Sequence, residues 1–310
     1  MTDDVARARE AMAQIPLFAG VGAEDTEVTR LGGLTNLVFR VAQGGKLHCL
    51  RLPGDGTEEY IDRKTEEQMA RAAASAGVSP EVLFSDGESG LMVTRFLDGF
   101  ETMSPETFRT KPGAPARAAR AFKQLHTSGE TFVFQFELLS MIDDYLKILG
   151  TKEVAFPDGY HDVLRESEGV REALNAHPAT RVPCHCDPLC ENFLDDGERM
   201  WIVDWEYSGM NDPLWDLGDL SIEGGFEPSH DEEMINAYFN GAPGDAEYGR
   251  VIIYKAMCDL LWTLWGLIQV ANENPVDDFW AYSTGRFERC KALMSTPGFD
   301  THIRAVREGT

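Results

Sequence analysis

His185-Cys186-Asp187-Pro188-Leu189-Cys190-Glu191-Asn192 precedes an Asp196-Gly197 turn and then Met200-Trp201-Ile202-Val203-Asp204-Trp205-Glu206. Asp187 and Asn192 are five residues apart, near enough to share one loop. Met200 to Val203 reads as a buried strand that Asp204 ends, and Asp196-Gly197 as the hairpin turn leading into it. Asp187, Asn192 and Asp204 are thus three groups able to hold a metal–phosphate complex. A loop carrying Asp and Asn, ahead of a strand ending in Asp, suits phosphoryl transfer. The loop Asp takes a hydroxyl proton, and the Asn and second Asp hold magnesium. Chance spacing is the rival reading, because 52 of the 310 residues are acidic.

Composition narrows the choice. With 43% hydrophobic residues the chain can bury a full core, and 310 residues usually make two domains or lobes. The net charge of −24 argues against nucleic acid, whose phosphates need Lys and Arg, and against an anionic membrane surface. It would attract a small cation, although plain solubility explains it as well. Met1 to Glu10 lacks the apolar core of a signal peptide, so a cytoplasmic location is expected. Val251 to Val270 is interrupted by Lys255 and Asp259 and reads as a buried helix, with no membrane insertion. The six Cys contain no C-x-x-C pair, which disfavours zinc at Cys184, His185, Cys186 and Cys190.

Residues 1 to 25 read as one or two short helices. Leu31-Gly32-Gly33-Leu34-Thr35-Asn36 then leads into a strand from Val38 to Val41, and Gly45 turns the chain into a second strand, Leu47 to Leu52. Glycine there lets backbone approach a ligand closely, but the P-loop pattern is absent. Arg51, between apolar strand neighbours, wants an anion. The helix expected over 60–76 offers Glu66 and Glu67, although taken alone these residues read better as a surface Arg on an edge strand. Val82 to Phe84 and Leu91 to Phe96 form a hairpin. The pattern breaks near residue 97, which sets the expected boundary: an N-terminal lobe over 1–97 and a C-terminal lobe over 98–310. The second part reads as helices at 114–127, 137–149, 160–175, 213–222, 230–240, 247–272 and 276–294, with Pro112-Gly113-Ala114-Pro115 as a loop.

Together, Gly32-Gly33-Leu34-Thr35-Asn36, Leu50-Arg51-Leu52-Pro53-Gly54, His185-x-Asp187-x4-Asn192 and Val203-Asp204-Trp205-Glu206-Tyr207 resemble the choline/ethanolamine kinase family, part of the protein-kinase-like superfamily that includes aminoglycoside phosphotransferases. The resemblance runs from about Leu31 to Met294. It implies an α+β bilobal protein-kinase-like fold, with a small antiparallel sheet lobe and a larger helical lobe. It implies ATP and Mg2+ as cofactors. Asp187 would be the catalytic base, with His185 positioning its loop, and Asn192 and Asp204 would hold the metal. Arg51 would contact the phosphates with Glu66 as its partner, beneath a loop containing Thr35 and Asn36. Arg95 to Gly99, Leu97 included, would form the hinge that meets adenine through its backbone. Asp216 would brace the catalytic loop.

The same resemblance implies an acceptor pocket. Trp262 and Trp265 lie three apart on one helix face. With Tyr282, Tyr207, Glu206 and Glu223 they match, in type and order, the family's pocket for choline, whose cationic head gains from aromatic faces. On its own, Trp-x-x-Trp on an apolar helix is an ordinary core feature. Choline is the expected substrate and ethanolamine the first alternative. Thiamine, aminoglycosides and a nucleotide-binding pseudokinase are weaker ones. An aminoglycoside site would need an acidic C-terminus, whereas Thr301 to Thr310 carries Arg304, Arg307 and only Glu308. The resemblance leaves a homodimer open.

Overall fold

The computed structural model describes residues 2–20, 22–32, 36–54 and 61–309. Helix α1 (Thr2–Met12) precedes strands β1 (Thr26–Arg30), β2 (Asn36–Gln43) and β3 (Lys46–Pro53), helix α2 (Arg63–Ser75), and strands β4 (Val82–Asp86) and β5 (Leu91–Arg95). The five strands form one antiparallel sheet in the order β1-β2-β3-β5-β4. Alternation along β2 and β3 sends Phe39, Val41, Leu50 and Leu52 to one face. There they pack with Val93 and with Ala8, Ala11 and Met12 of α1 into a small core. Arg51 takes the other face. β1 was not expected from sequence, because TEVTR carries one large apolar residue and reads as solvated.

Asp62 caps α2 by accepting from the backbone N–H groups of Lys64 and Thr65. That cap fixes where the first turn begins and so where Glu66 falls. The helix starts at Arg63; Tyr60, in the expected 60–76 span, lies outside the described residues.

The remainder is mostly helical. Strand β6 (Glu101–Thr102) leads to α3 (Pro105–Thr110), α4 (Ala114–His126), α5 (Leu138–Leu149), α6 (Tyr160–Glu166) and α7 (Glu168–Ala176). After β7 (Val182–Cys184) come β8 (Phe193–Asp195), β9 (Met200–Ile202) and β10 (Gly209–Asn211). Helices α8 (Pro213–Glu223), α9 (Pro228–Phe239), α10 (Asp245–Ala271), α11 (Phe279–Met294) and α12 (Phe299–Glu308) finish the chain. Four expectations change. The helix over 160–175 is two, parted at Ser167. Ala114 and Pro115 open α4 instead of lying in a loop, since Pro fits a first helical turn. Helices α3 and α12 are additional. Helix α10 is long and apolar enough to span a membrane, but 83% of its most apolar stretch is buried inside the protein. It packs against α5, α8, α11 and α12, and its Met257, Leu260, Leu261, Leu264 and Leu267 belong to the large core.

Candidate active site

The turn from β7 into His185–Asn192 is held by one buried carboxylate. Asp216 on α8 accepts from the backbone N–H of His185 (2.8 Å, Oδ2) and of Cys186 (2.8 Å, Oδ1). His126 reaches Asp216 Oδ2 at 3.0 Å and Tyr238 at 2.9 Å, so the brace is itself tied to α4 and α9. Cys186 sits at φ 67°, a left-handed conformation that costs a side-chain-bearing residue about 1–3 kcal/mol. Its thiol points into the core, with Asn211 Nδ2 at 3.7 Å. His185 is fully buried, and burial lowers its pKa, so it is neutral. Its Nε2 meets the Val203 carbonyl at 2.9 Å and its ring packs edge-on to Trp205 at 4.9 Å. His185 is therefore placed to position the loop.

Asp187 follows directly. Burial, then Glu223 and Glu206, raise its carboxyl to about 8, against the pull of Arg286. Five residues on, Asn192 donates to the Asp187 carbonyl at 3.1 Å. This leaves the Asn192 carboxamide oxygen as the atom that could ligate a metal. The β8–β9 hairpin turns at Asp196-Gly197, with Gly197 at φ 92° and Asp196 Oδ1 accepting from the N–H groups of Glu198 and Arg199 at 2.9 and 2.7 Å. It delivers Asp204, whose φ of 67° is again left-handed.

A charged cluster surrounds Asp204. Arg51 pairs with Glu66 and reaches Asp204 Oδ1 at 3.3 Å. Arg63, which sequence reasoning passed over, bridges Glu66 at 2.8 Å, Glu206 at 3.2 Å and the Asn36 side chain at 3.2 Å. Asn36 in turn donates to Glu206 at 3.0 Å. Two arginines thus face three carboxylates. Burial and then Glu206 push Asp204 well above the carboxylate range, with Arg51 opposing. Glu66 is lowered: Arg51 and Arg63 outweigh its burial.

Both cofactors fit these residues. Nε and Nη2 of Arg51 are buried donors with no acceptor among the described residues, as a phosphate contact requires. Carboxylate oxygens of Glu66, Asp204 and Glu206 lie within 4.8 Å of one another, an oxygen-donor set that suits a hard divalent cation. Thr35 lies outside the described residues. Arg95 pairs with Glu81 at the surface and is cross-strand from His48, on the sheet face away from Arg51. It also lines, with Leu97, Arg71 and Trp201, a cavity of 420 Å³.

The acceptor residues divide. Glu206 was assigned to the acceptor's cationic head, yet its carboxylate is bound by Asn36 and Arg63 and belongs to the phosphate-side cluster. Tyr207 packs edge-on to Trp262 at 5.8 Å, and Trp265 edge-on to Tyr282 at 5.7 Å. Glu223 is paired with Arg286, whose guanidinium also lies over the Tyr282 ring at 4.6 Å. One face of the expected cage is therefore taken by an internal cation. Arg286 had given no sequence signal beyond its charge. Asp219 had given one, standing three residues after Asp216 and four before Glu223 on α8. It is fully buried and accepts from Trp262 Nε1 at 3.3 Å.

Comparisons with known proteins bear on the fold and the family. Residues 27–251 match the model of a family described as "Phosphotransferase enzyme family". A choline/ethanolamine kinase family protein from Mesorhizobium loti is 62% identical, with a TM-score of 0.91 over 99% of this chain and 100% of that one. Choline kinase LicA from Streptococcus pneumoniae is 25% identical, with a TM-score of 0.77 over 94% of this chain and 100% of that one. A probable ethanolamine kinase of Arabidopsis thaliana is 26% identical over 79% of this chain and 73% of its own length. The chain belongs to the phosphotransferase enzyme family and, within it, to the choline/ethanolamine kinases.

Proposed function

We propose that the protein is an ATP- and Mg2+-dependent kinase that phosphorylates the hydroxyl of a small amino alcohol of the choline/ethanolamine class. The carrying observation is the position of Asp187. Its loop is clamped by Asp216, and its carboxyl feels Glu206 of the phosphate-side cluster and Glu223 beside the aromatic residues. A group so placed can touch an acceptor hydroxyl at one end while phosphate is held at the other.

Arg51 would hold phosphate oxygens with its two unpaired N–H groups. Asn192 and Asp204 would hold the metal, with Glu206 close by. When bound, the metal supplies positive charge against the phosphates. Asp187 orients the acceptor hydroxyl and takes its proton late in the transfer. Its raised pKa suits an acceptor group working near neutral pH. Trp262, Trp265, Tyr207 and Tyr282 surround the ammonium end, and Asp219 and Glu223 offer carboxyl oxygens there. Most of the catalytic effect is positioning and fixed electrostatics.

Choline was the acceptor expected from the aromatic residues, and ethanolamine fits the same class. The test is formation of the phosphorylated product from ATP, measured in parallel for choline, ethanolamine, thiamine and an aminoglycoside. Turnover of the first two above the others supports the reading. Turnover only of thiamine or the aminoglycoside, or ATP binding with no transfer to any alcohol, sinks it.

A further inference from the structure

Three acidic side chains recur along α8 at positions 216, 219 and 223, a spacing that puts them on one helical face. The outer two have charged or backbone partners. Asp216 accepts two backbone N–H groups and the His126 ring. Glu223 is paired with Arg286. The middle one differs. Asp219 Oδ2 accepts from Trp262 Nε1 at 3.3 Å, while Oδ1 is buried with no hydrogen-bond partner among the described residues. Burying a carboxylate oxygen unpaired forfeits its hydration with nothing in return.

Among the described residues no protein group bonds this oxygen. Arg286 is the cation nearest in effect, but its Nη1 is bonded to Asp259 at 3.1 Å and its Nη2 to Glu223, and its Nε is a buried donor that meets neither Asp219 Oδ1 nor any other described acceptor. Burial first, then Glu223 and Asp187, push the Asp219 carboxyl well above the carboxylate range, with Arg286 and the Trp262 hydrogen bond opposing, so an incoming cation would favour its ionised form; the bond to Trp262 ties it to the acceptor region. Its helix presents Glu223 one turn further on, and Trp262, its own donor, packs on Tyr207. An unpaired acceptor oxygen on a carboxyl held by that indole calls for a donor on the substrate.

We propose that Asp219 is a specificity-determining residue, whose Oδ1 accepts an N–H of the substrate's ammonium group, so that the site favours amino alcohols that retain an N–H over the quaternary one. The proposal rests on the amino-alcohol kinase reading and narrows it. A quaternary ammonium brings charge but no donor, and its methyl groups hold the charge away from Oδ1. Primary, secondary and tertiary ammonium heads all bring at least one N–H. The aromatic rings tolerate methyl groups, so the number of methyls matters less than whether one N–H remains.

Dimethylaminoethanol and choline differ by one methyl and make the sharpest pair. Steady-state kinetics at neutral pH should give a kcat/KM for dimethylaminoethanol at least tenfold above that for choline, about 1.4 kcal/mol, carried mainly by KM. Ethanolamine should also exceed choline. In Asp219→Asn, which keeps an oxygen for Trp262, the loss should be at least tenfold larger for dimethylaminoethanol than for choline, with the KM for ATP moving less than either. Choline matching or exceeding dimethylaminoethanol in the wild-type protein overturns the proposal, with or without a foldable variant. Equal losses for both acceptors in Asp219→Asn also overturn it, since they indicate general electrostatics or packing. Failure of the underlying reading looks different: no amino alcohol is phosphorylated at all, and the proposal then falls with it.

Discussion

Replacing Asp187 by Asn should abolish phosphoryl transfer and make the protein more stable. The Asp187 carboxyl ionises near 3.8 in the unfolded chain but is held up at about 8 in the folded one. Between those values the folded state keeps a proton that the unfolded chain has released. This group therefore opposes folding increasingly as pH rises from about 4 to about 8, and contributes no penalty below 3.8. The whole displacement corresponds to ~6 kcal/mol at about 1.36 kcal/mol per pH unit. Solvent reaches the partly exposed side chain, so roughly half, ~3 kcal/mol, is a reasonable expectation. Unfolding entropy of about 2.1 cal/mol/K per residue over 310 residues converts this to a Tm gain of ~5 °C for Asp187→Asn at pH 8. At pH 5 the unfolded chain has little more than one pH unit of ionisation to recover, so the gain shrinks to under about 2 °C. The assay is thermal unfolding of both proteins at pH 5 and pH 8 with chelator and without nucleotide, beside kcat for the amino alcohol. A Tm gain of equal size at both pH values, or none at pH 8, would refute the account of a carboxyl that the fold holds protonated. Residual kcat above about a thousandth of wild type would refute the role of Asp187 as base.

Four further outcomes follow from the same site. With choline, whose head carries no titrating proton, kcat/KM should rise with pH through the acidic range and then level off, as the burial-raised Asp187 carboxyl ionises, with bound metal moving the inflection lower; a flat profile from pH 5 to 9 contradicts this. Arg51→Ala should raise the KM for ATP at least tenfold and cost about 3 kcal/mol of stability by leaving buried Glu66 short of a partner; denaturant melts and ATP titrations read the two effects separately. Trp265→Ala should raise the KM for the amino alcohol far more than the KM for ATP, and equal rises would make it a core residue only. Asp216→Ala should cost about 3 kcal/mol and lower kcat at least a hundredfold, because two backbone N–H groups of the catalytic loop lose their acceptor; a normal kcat in that variant would show that the loop holds its shape unaided.

Much of this was readable in the sequence for local reasons. Asp196-Gly197 can hardly avoid a turn, and the apolar run before Asp204 has the length of a strand. Arg51 sits on a strand face whose other side is apolar, so its partner had to come from across that face, and the first turn of α2 supplies it. What escaped reading depended on distance or on backbone reversal. Glu206 could not be oriented from Asp204 by strand alternation, because the left-handed φ at Asp204 breaks the period of two. Arg63 and Arg286 act across 143 and 63 residues of chain, on Glu206 and Glu223 respectively, and no local pattern carries such pairings. β1 was hidden because an edge strand with the burial sequence of TEVTR buries only Thr26, which leaves little periodic signal.

The cluster that joins Asn36, Arg51, Arg63 and Glu66 to Asp204 and Glu206 also has a history in time. A chain made from its N-terminus exposes Arg51 and Arg63 with only Glu66 between them, and waits for more than 130 further residues before Asp204 arrives. Until then the early strands and α2 carry a surplus of positive charge meant for burial. Asn36 and Glu206, 170 residues apart, close the ring last. The sheet can form its own ladder early, but its charged face stays unfinished through most of synthesis, a stage at which exposed surface favours association with the wrong partner. Completion of the phosphate-side cluster thus requires that the late hairpin has docked against the early sheet and α2.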